Sequence, residues 1–352
     1  MLAMAATSIG TVPAHAAETR PPAGYWITQL GVDRAWATSR GKGVVVGVVD
    51  TGVDADRPDL RGAVLPGREF PDLGDGLVDA WGHGTEVAVL IAGRGGPRAV
   101  TGVAPQASIV PAKVSGGAET VDEAMHWLVD QGASVINLSL GETAHGQRHQ
   151  AAFDDGLRYA REHDVVIVAA AGNAGTDTGV VSPADRPGVV AVSAVDQTGA
   201  FRPDISVSGP EVAVAAPGFD MAADQPRQGA AHNGTSYSAA VVSGVVALIR
   251  SRYPGLPASA VVNRLLATAD RTPGAGRDAR YGYGIVNAAR ALTESVAPGV
   301  DAPLGSLAAP PPTRPGISPV AVLTVGSLAL AVCGLGVWYL RRRRRVAVNR
   351  RV

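Results

Sequence analysis

From about Gly31 to Ala291 the chain alternates between two kinds of segment. Five short aliphatic runs, GVVVGVVD (43–50), SIVPAKV (108–114), ASVINLSL (133–140), DVVIVAAAGN (164–173) and GVVAVSAVD (188–196), are apolar at consecutive positions. A strand of that kind buries both of its faces, as in a parallel sheet covered on each side. Between several of these runs the apolar residues take helical spacing. TVDEAMHWLVDQG (120–132) opens with Thr120 and Glu123 in capping-box spacing, which predicts a helix N-terminus at Thr120. HQAAFDDGLRYAREHD (149–164) has helical length, and NGTSYSAAVVSGVVALIRSRYP (233–254) is apolar on so many sides that its helix must be largely buried. Strands alternating with helices predict one α/β domain, over 31–294, with a mostly parallel sheet flanked by helices.

The flanking segments follow different patterns. Ile317 to Leu340 is a run of 24 residues without a charge, about 36 Å long as a helix and so long enough to span a bilayer. Trp338 and Tyr339 fall at one end, five arginines (341–345) follow at once, and such a basic flank marks the cytoplasmic side. These features predict a single C-terminal transmembrane helix (317–340), a cytoplasmic tail (341–352) and a domain outside the cytoplasm. Residues 295–316 contain six prolines, the composition of a semi-rigid stalk. At the other end, residues 1–16 are small and apolar and close on Ala14-His15-Ala16, a cleavage signature, although no Lys or Arg precedes Arg20. They are expected to be a signal peptide, truncated or weak in its basic leader, with 17–30 an N-terminal extension.

Charge and cysteine narrow the chemistry. Lys+Arg and Asp+Glu both total 31, and with the seven tail arginines set aside the remainder is 24 basic against 31 acidic. Nothing in that balance suggests a nucleic-acid surface. The only cysteine, Cys333, excludes an intrachain disulfide and a cysteine-based zinc cluster. His145 and His149 are four apart, but Gly146 lies between them and no acidic or cysteine partner has matching spacing, so surface histidines are expected.

Three reactive side chains fall where α/β proteins place ligands. Asp50 ends the first aliphatic run, His83 sits where glycines give way to a helical run, and Ser236 lies at the start of the buried helix, where N–H groups favour an anion. Asp50-Thr-Gly also matches the core of aspartic proteases, and a second Asp-Thr-Gly occurs at Asp177–Gly179. That chemistry needs two equivalent β lobes, whereas Asp177 follows a glycine-rich turn and is expected to be a loop residue. The glycines of GKGVVVG precede their strand instead of following it, against a dinucleotide fingerprint. Taken together in chain order, Asp, His and Ser are the three parts of a serine hydrolase.

With VVDTGV around Asp50, GHGTEVA around His83 and NGTSYSA around Ser236, the chain resembles the subtilisin-like serine proteases (subtilases); further matches are GVAPQASIVPAKV (102–114), INLSLG (136–141), AAAGN (169–173) and VAAPG (214–218). The resemblance implies the subtilisin-like fold and peptide-bond hydrolysis. It gives Ser236 the role of nucleophile, His83 that of base and acid, Asp50 that of orienting carboxylate, and Asn173 that of oxyanion donor; Ser139, Leu140 and Gly141 would form an edge for the substrate backbone. No organic cofactor is implied, and calcium, common in the family, is not placed: Asp54, Asp56 and Asp59 fit a solvated loop as readily as a ligand set. The overall layout, with LGVDRAW (30–36) and NGTSYSA, resembles the mycosins, membrane-anchored subtilases associated with type VII secretion, which implies protein or peptide substrates and a secretion membrane complex as partner. Two positions depart from the family pattern, Val89 for a glycine and Ala240 for a proline. With the predicted anchor, they leave room for an alternative role, a scaffold that braces such a complex.

Overall fold

The computed structural model describes residues 24–71, 74–97, 99–115, 117–141, 153–221, 232–271 and 277–297, all of them within one compact unit, Met1–Ala308. The expected signal peptide, most of the stalk, the predicted span 317–340, the basic tail, and His145 and His149 lie outside the described residues. Among the described residues no helix is long and apolar enough to cross a membrane.

In chain order the elements are α1 (Tyr25–Gln29), α2 (Val32–Ala35), β1 (Val45–Asp50), a 3₁₀ turn (Pro58–Leu60), β2 (Arg68–Phe70), α3 (His83–Ala92), β3 (Arg94–Gly96), β4 (Ala99–Thr101), β5 (Ser108–Val114), α4 (Ala118–Asp130), β6 (Val135–Leu138), α5 (Asp154–Glu162), β7 (Val166–Ala170), β8 (Val189–Val195), β9 (Val212–Pro217), α6 (Thr235–Arg252), α7 (Ala258–Ala267) and α8 (Ala288–Thr293). Seven strands form one sheet in the order β2-β5-β1-β6-β7-β8-β9, with every neighbouring pair parallel. The β3–β4 pair is a separate antiparallel ribbon. The α/β expectation is met, with two more strands in the main sheet than the five aliphatic runs indicate.

The two-residue period of a strand divides its apolar residues between two cores. Val46 and Val48 of β1, Val135 of β6, and Val166 and Val168 of β7 join α3, α6, α7 and α8 in one cluster. Val49, Ile136, Leu138, Ile167 and Ala169 join α4 and α5 in the other. Each alternate residue is therefore inside, which is why the runs are apolar throughout. Helix α6 passes under the sheet with 15 of its 18 residues buried, as its composition predicts. Both departures from the family pattern sit in the first core, Val89 on α3 and Ala240 on α6, each fully buried in a continuous helix. The predicted capping box is not formed: α4 starts two residues earlier, at Ala118 after Gly117, with no side-chain cap. Thr120 is thus already inside the first turn, and its hydroxyl donates to the Gly117 carbonyl, 2.6 Å away.

Candidate active site

The sheet order places the site. The chain first adds β5 on one side of β1 and then returns to add β6 on the other, so a crevice opens at the C-terminal ends of these strands, where such sheets hold ligands. Asp50 is the last residue of β1, Ser139 follows the last residue of β6, and Asn173 lies three residues past β7. Helices α3 and α6 bring their N-termini to the same crevice, with His83 the first residue of one and Ser236 the second of the other.

The approach of α3 to β1 is set by Gly84. A Cβ at that position would lie 2.2 Å from the Gly52 carbonyl oxygen and 2.9 Å from the Asp50 Cβ, so only glycine lets the helix start rest on the strand end. The contact carries His83 to Asp50: Nδ1 and Oδ1 are 2.7 Å apart. Asp50 Oδ1 also accepts the Thr51 N–H at 2.8 Å. The Asp50 side chain is 2% exposed against 32% for His83, so the carboxylate is enclosed while the ring reaches the surface. Its Oδ2 is buried with no hydrogen-bond partner among the described residues, a cost that the bonds at Oδ1 offset in part. Burial pushes the His83 imidazole down, yet the charge and hydrogen bond of Asp50, with smaller help from Glu86 and Asp79, outweigh it and hold the ring above its ordinary value.

Asp79 is a member of this site that the sequence did not announce. Its Oδ1 accepts from the Thr51 hydroxyl (2.8 Å), the Gly82 N–H (2.8 Å) and the Trp81 N–H (3.2 Å). Its Oδ2 accepts both the N–H (2.8 Å) and the hydroxyl (2.6 Å) of Thr85. Thr51 Oγ1 in turn accepts the Gly84 N–H at 3.0 Å. One carboxylate thus caps α3 from outside the usual cap position and ties it to β1. Burial alone would raise the pKa of Asp79, but the bonds from Thr85, Gly82 and Thr51 bring it below the ordinary carboxylate value.

On the other side of the crevice Ser236 and Ser139 form a reciprocal pair. The Ser236 hydroxyl donates to the Ser139 carbonyl at 3.2 Å, and the Ser139 hydroxyl donates to the Ser236 carbonyl at 2.9 Å. Ser139 Oγ also accepts from the Asn137 side-chain amide at 2.8 Å, whose oxygen accepts from Ser243 at 3.0 Å. This buried chain fixes the N-terminus of α6 to the end of β6. The Ser236 hydroxyl is turned to Ser139 here, and a change of its χ1 rotamer would aim it elsewhere. The Ser236 N–H lies in the first turn of a helix, where no intrahelical acceptor exists.

Asn173 faces the same helix start. Its Oδ1 accepts the Thr235 N–H at 3.0 Å and the Thr235 hydroxyl at 3.2 Å. A backbone N–H only donates, so the oxygen must point to Thr235 and Nδ2 is left as the free end of the amide. Gly234 precedes the helix at φ 155°, ψ 159°, a conformation open to glycine, and lies beside Asn173. Asp177 is a loop residue, as expected, and clamps the turn by accepting the Asn173 N–H at 2.7 Å.

Beside Asp50 and His83 opens a cavity of about 250 Å³ with an apolar wall of Val114, Val121, Leu140 and Phe153 and with Ser139 and Gly141 at its edge. Of the candidate site residues, Asp50, His83, Ser139, Leu140 and Gly141 line this cavity, while Ser236 adjoins it through its bonds with Ser139 and Asn173 through its bond with the start of α6. The carboxylates weighed for calcium do not converge: Asp54 Oδ1 accepts the Asp56 N–H, and Asp59 pairs with Arg57 and accepts the Val100 N–H. No group of three candidate ligands forms among the described residues, so these three residues do not fit a cation site.

The model of the subtilase family matches residues 41–284. Mycosin-3 of Mycobacterium tuberculosis is 37% identical over 374 residues, covering 87% of this chain and 80% of that protein. The structure of the MycP3 protease from the type VII (ESX-3) secretion system superposes with a TM-score of 0.69 at 33% identity, over 79% of this chain and 90% of the other. A chain of the intact ESX-5 inner membrane complex superposes with a TM-score of 0.70 at 31% identity, over 94% of this chain and 92% of the other. The strand order, the Asp50–His83 pair before the N-terminus of α6 and these likenesses agree, and the chain belongs to the subtilase family of serine proteases, with mycosins among its relatives.

Proposed function

We propose that the protein is a membrane-anchored extracytoplasmic endopeptidase in which Asp50, His83 and Ser236 form the catalytic triad. The observation that carries this reading is the 2.7 Å bond between His83 Nδ1 and the buried Asp50 carboxylate. Asp50 accepts from Nδ1–H, which leaves Nε2 unprotonated to take the proton of the Ser236 hydroxyl. That hydroxyl first turns from the Ser139 carbonyl, and its oxygen then attacks the peptide carbonyl carbon. The negative charge that develops is met by Asn173 Nδ2 and the Ser236 N–H. His83 returns the proton to the leaving amine, and a water repeats the sequence on the acyl-enzyme to free Ser236. The Ser139–Gly141 backbone serves as an edge to which an extended peptide adds as a strand, with an apolar side chain of that peptide in the neighbouring cavity.

The test is labelling with a fluorophosphonate, which reacts only with an activated serine. Wild type is expected to be labelled and Ser236→Ala is not; persistent labelling of the variant, or none of the folded wild type, overturns the assignment. The anchor is the 317–340 run, and its partner is a type VII secretion membrane complex; the likeness to a chain of the ESX-5 inner membrane complex supports this. A second reading, a scaffold whose proteolysis is dispensable, is favoured by the Ser236 hydroxyl facing Ser139. Full restoration of secretion by Ser236→Ala in a deletion strain would select it.

A further inference from the structure

The proposed triad leaves unexplained a second buried carboxylate one helical turn from His83. Glu86 Oε2 accepts the Tyr237 hydroxyl at 2.8 Å and lies 3.1 Å from His232 Nδ1. Its side chain is 13% exposed and that of His232 6%. The three come from different parts of the chain: Glu86 from α3, Tyr237 from α6 directly after Ser236, and His232 from the segment before α6. Tyr237 is the centre of the group. Its ring lies 5.8 Å from the His83 ring at 51° and 6.3 Å from the His232 ring at 63°. Burying a carboxylate and two polar rings away from water is costly unless they satisfy one another; here two of their bonds converge on Glu86 Oε2, while His232 Nε2 has no partner among the described residues. The outcome is a tether across the crevice that joins the helix bearing His83 to the helix bearing Ser236.

We propose that Glu86 and Tyr237 are positioning residues for His83: Glu86 holds the Tyr237 ring beside the imidazole, at 5.8 Å and a 51° tilt, and supplies a second negative charge to the imidazolium formed when Ser236 gives up its proton. His232 completes the cluster by filling the remaining hydrogen-bond direction of Glu86 Oε2. The inference rests on the triad assigned above. Asp50 fixes His83 through Nδ1 in the ring plane, and a hydrogen bond there leaves rotation about that contact free. The tilted Tyr237 ring beside the imidazole limits this freedom, which matters because a base must lie within about 0.5 Å of its productive position. Glu86 also contributes to holding His83 above its ordinary value, and burial followed by the Glu86 charge pushes the Tyr237 hydroxyl far above its own, so Tyr237 remains a neutral donor. The charged and titratable groups around His83 are then Asp50 from β1, Asp79 from the turn before α3, Glu86 from α3 itself, and Tyr237 and His232 from α6 and its approach.

The experiment is the rate of fluorophosphonate labelling against pH for the full-length protein in mild detergent, with wild type, Glu86→Gln and Tyr237→Phe compared and folding checked by circular dichroism. Glu86→Gln keeps the shape and removes the charge, so the acid limb should move to lower pH by about 0.5 unit or more. Tyr237→Phe keeps the charge and cuts the tether, so its limb should stay near that of wild type while the plateau rate drops about 3- to 10-fold. If one variant does not fold, the other still decides, because limb and plateau are separate readouts. A Glu86→Gln profile that superimposes on wild type, or a Tyr237→Phe plateau equal to it, overturns the proposal while leaving the triad in place. A folded wild type that takes no label instead overturns the triad, and this inference with it.

Discussion

Replacing Asp79 by alanine removes an acceptor that holds five donors at once, and its cost follows from where those donors lie. The N–H groups of Trp81 and Gly82 precede α3, and Trp81 is 82% exposed, so water replaces the carboxylate there at little loss. Thr85 differs: it is 3% exposed, and both its N–H and its hydroxyl end on Asp79. Leaving a buried donor unsatisfied costs about 1–3 kcal/mol, so these two account for about 2–6 kcal/mol, a large share of the 5–15 kcal/mol typical of a domain. At about 2–3 °C per kcal/mol for a domain of this size, Tm should fall by about 10 °C. Asp79→Asn keeps one acceptor oxygen and should fall by less than half of that. The Thr51 bridge between Asp79 and the Gly84 N–H is also loosened, so fluorophosphonate labelling should slow even at temperatures where the variant is folded. Circular-dichroism melting and labelling at 20 °C measure the two effects. A Tm loss below about 2 °C with an unchanged labelling rate would refute the view that Asp79 couples α3 to β1.

Three further outcomes follow from the same geometry. Asn173→Leu removes the free Nδ2 and should lower turnover of a peptide substrate by about 10²- to 10³-fold, the cost of losing one such donor in a subtilisin, with KM little changed; a loss confined to KM would count against the oxyanion role. Gly84→Ala forces a Cβ to within 2.2 Å of the Gly52 carbonyl oxygen, so α3 must shift from β1, and labelling should drop at least tenfold; a labelling rate equal to wild type in a folded variant contradicts the contact. Asp122, on α4 where it meets α5, is raised from its ordinary 3.8 to about 6, chiefly by burial and against the bond from the Gly156 N–H. A carboxyl raised on folding binds its proton more tightly in the native state, so it adds stability at low pH that is lost as pH rises from about 4 to about 6. Because the group is half exposed, the full shift of roughly 3 kcal/mol is screened to about 1. Asp122→Asn should therefore melt about 2–4 °C higher than wild type at pH 7.5 and no higher at pH 4; equal gains at both pH values would place the effect outside titration.

Much of the fold is legible because it is carried by composition over many residues. A central parallel strand must be apolar on both faces, so β1, β5, β6, β7 and β8 each stand out as aliphatic runs. The strands of the main sheet that escaped are its outer ones, β2 and β9. β2 has three residues, too few for any period, and β9, although fully buried, is a run of small residues that a strand and a helix share alike. The capping box at Thr120 failed for a local reason: the spacing was right, but Gly117 starts the helix a few residues earlier and leaves the Thr120 hydroxyl to its carbonyl.

The site divides in the same way. Asp50, His83, Ser236 and Asn173 sit at strand ends and helix starts, and the glycines beside them mark close approach of backbone, so pattern and chemistry single them out together. Asp79, Glu86 and His232 carry no such mark. Each is a polar residue in a polar or helical neighbourhood, where a solvated role is the ordinary expectation, and each meets its partner only when a distant segment arrives: Thr51 for Asp79, Tyr237 for Glu86, and Glu86 on α3 for His232. Asn137 shows the converse. A lone amide inside the aliphatic run of β6 is costly to bury unless paired, so its place in the sequence already implies a partner, but only the packing of α6 across the sheet shows that the partners are Ser243 on one side and Ser139 on the other. Through Ser139 that pairing reaches the Ser236 carbonyl, so the helix that fills the core and the residue proposed to do the chemistry are held by the same chain of bonds. This is the physical reason to expect substitutions at Asn137 to change both stability and labelling, where a purely core position would change stability alone.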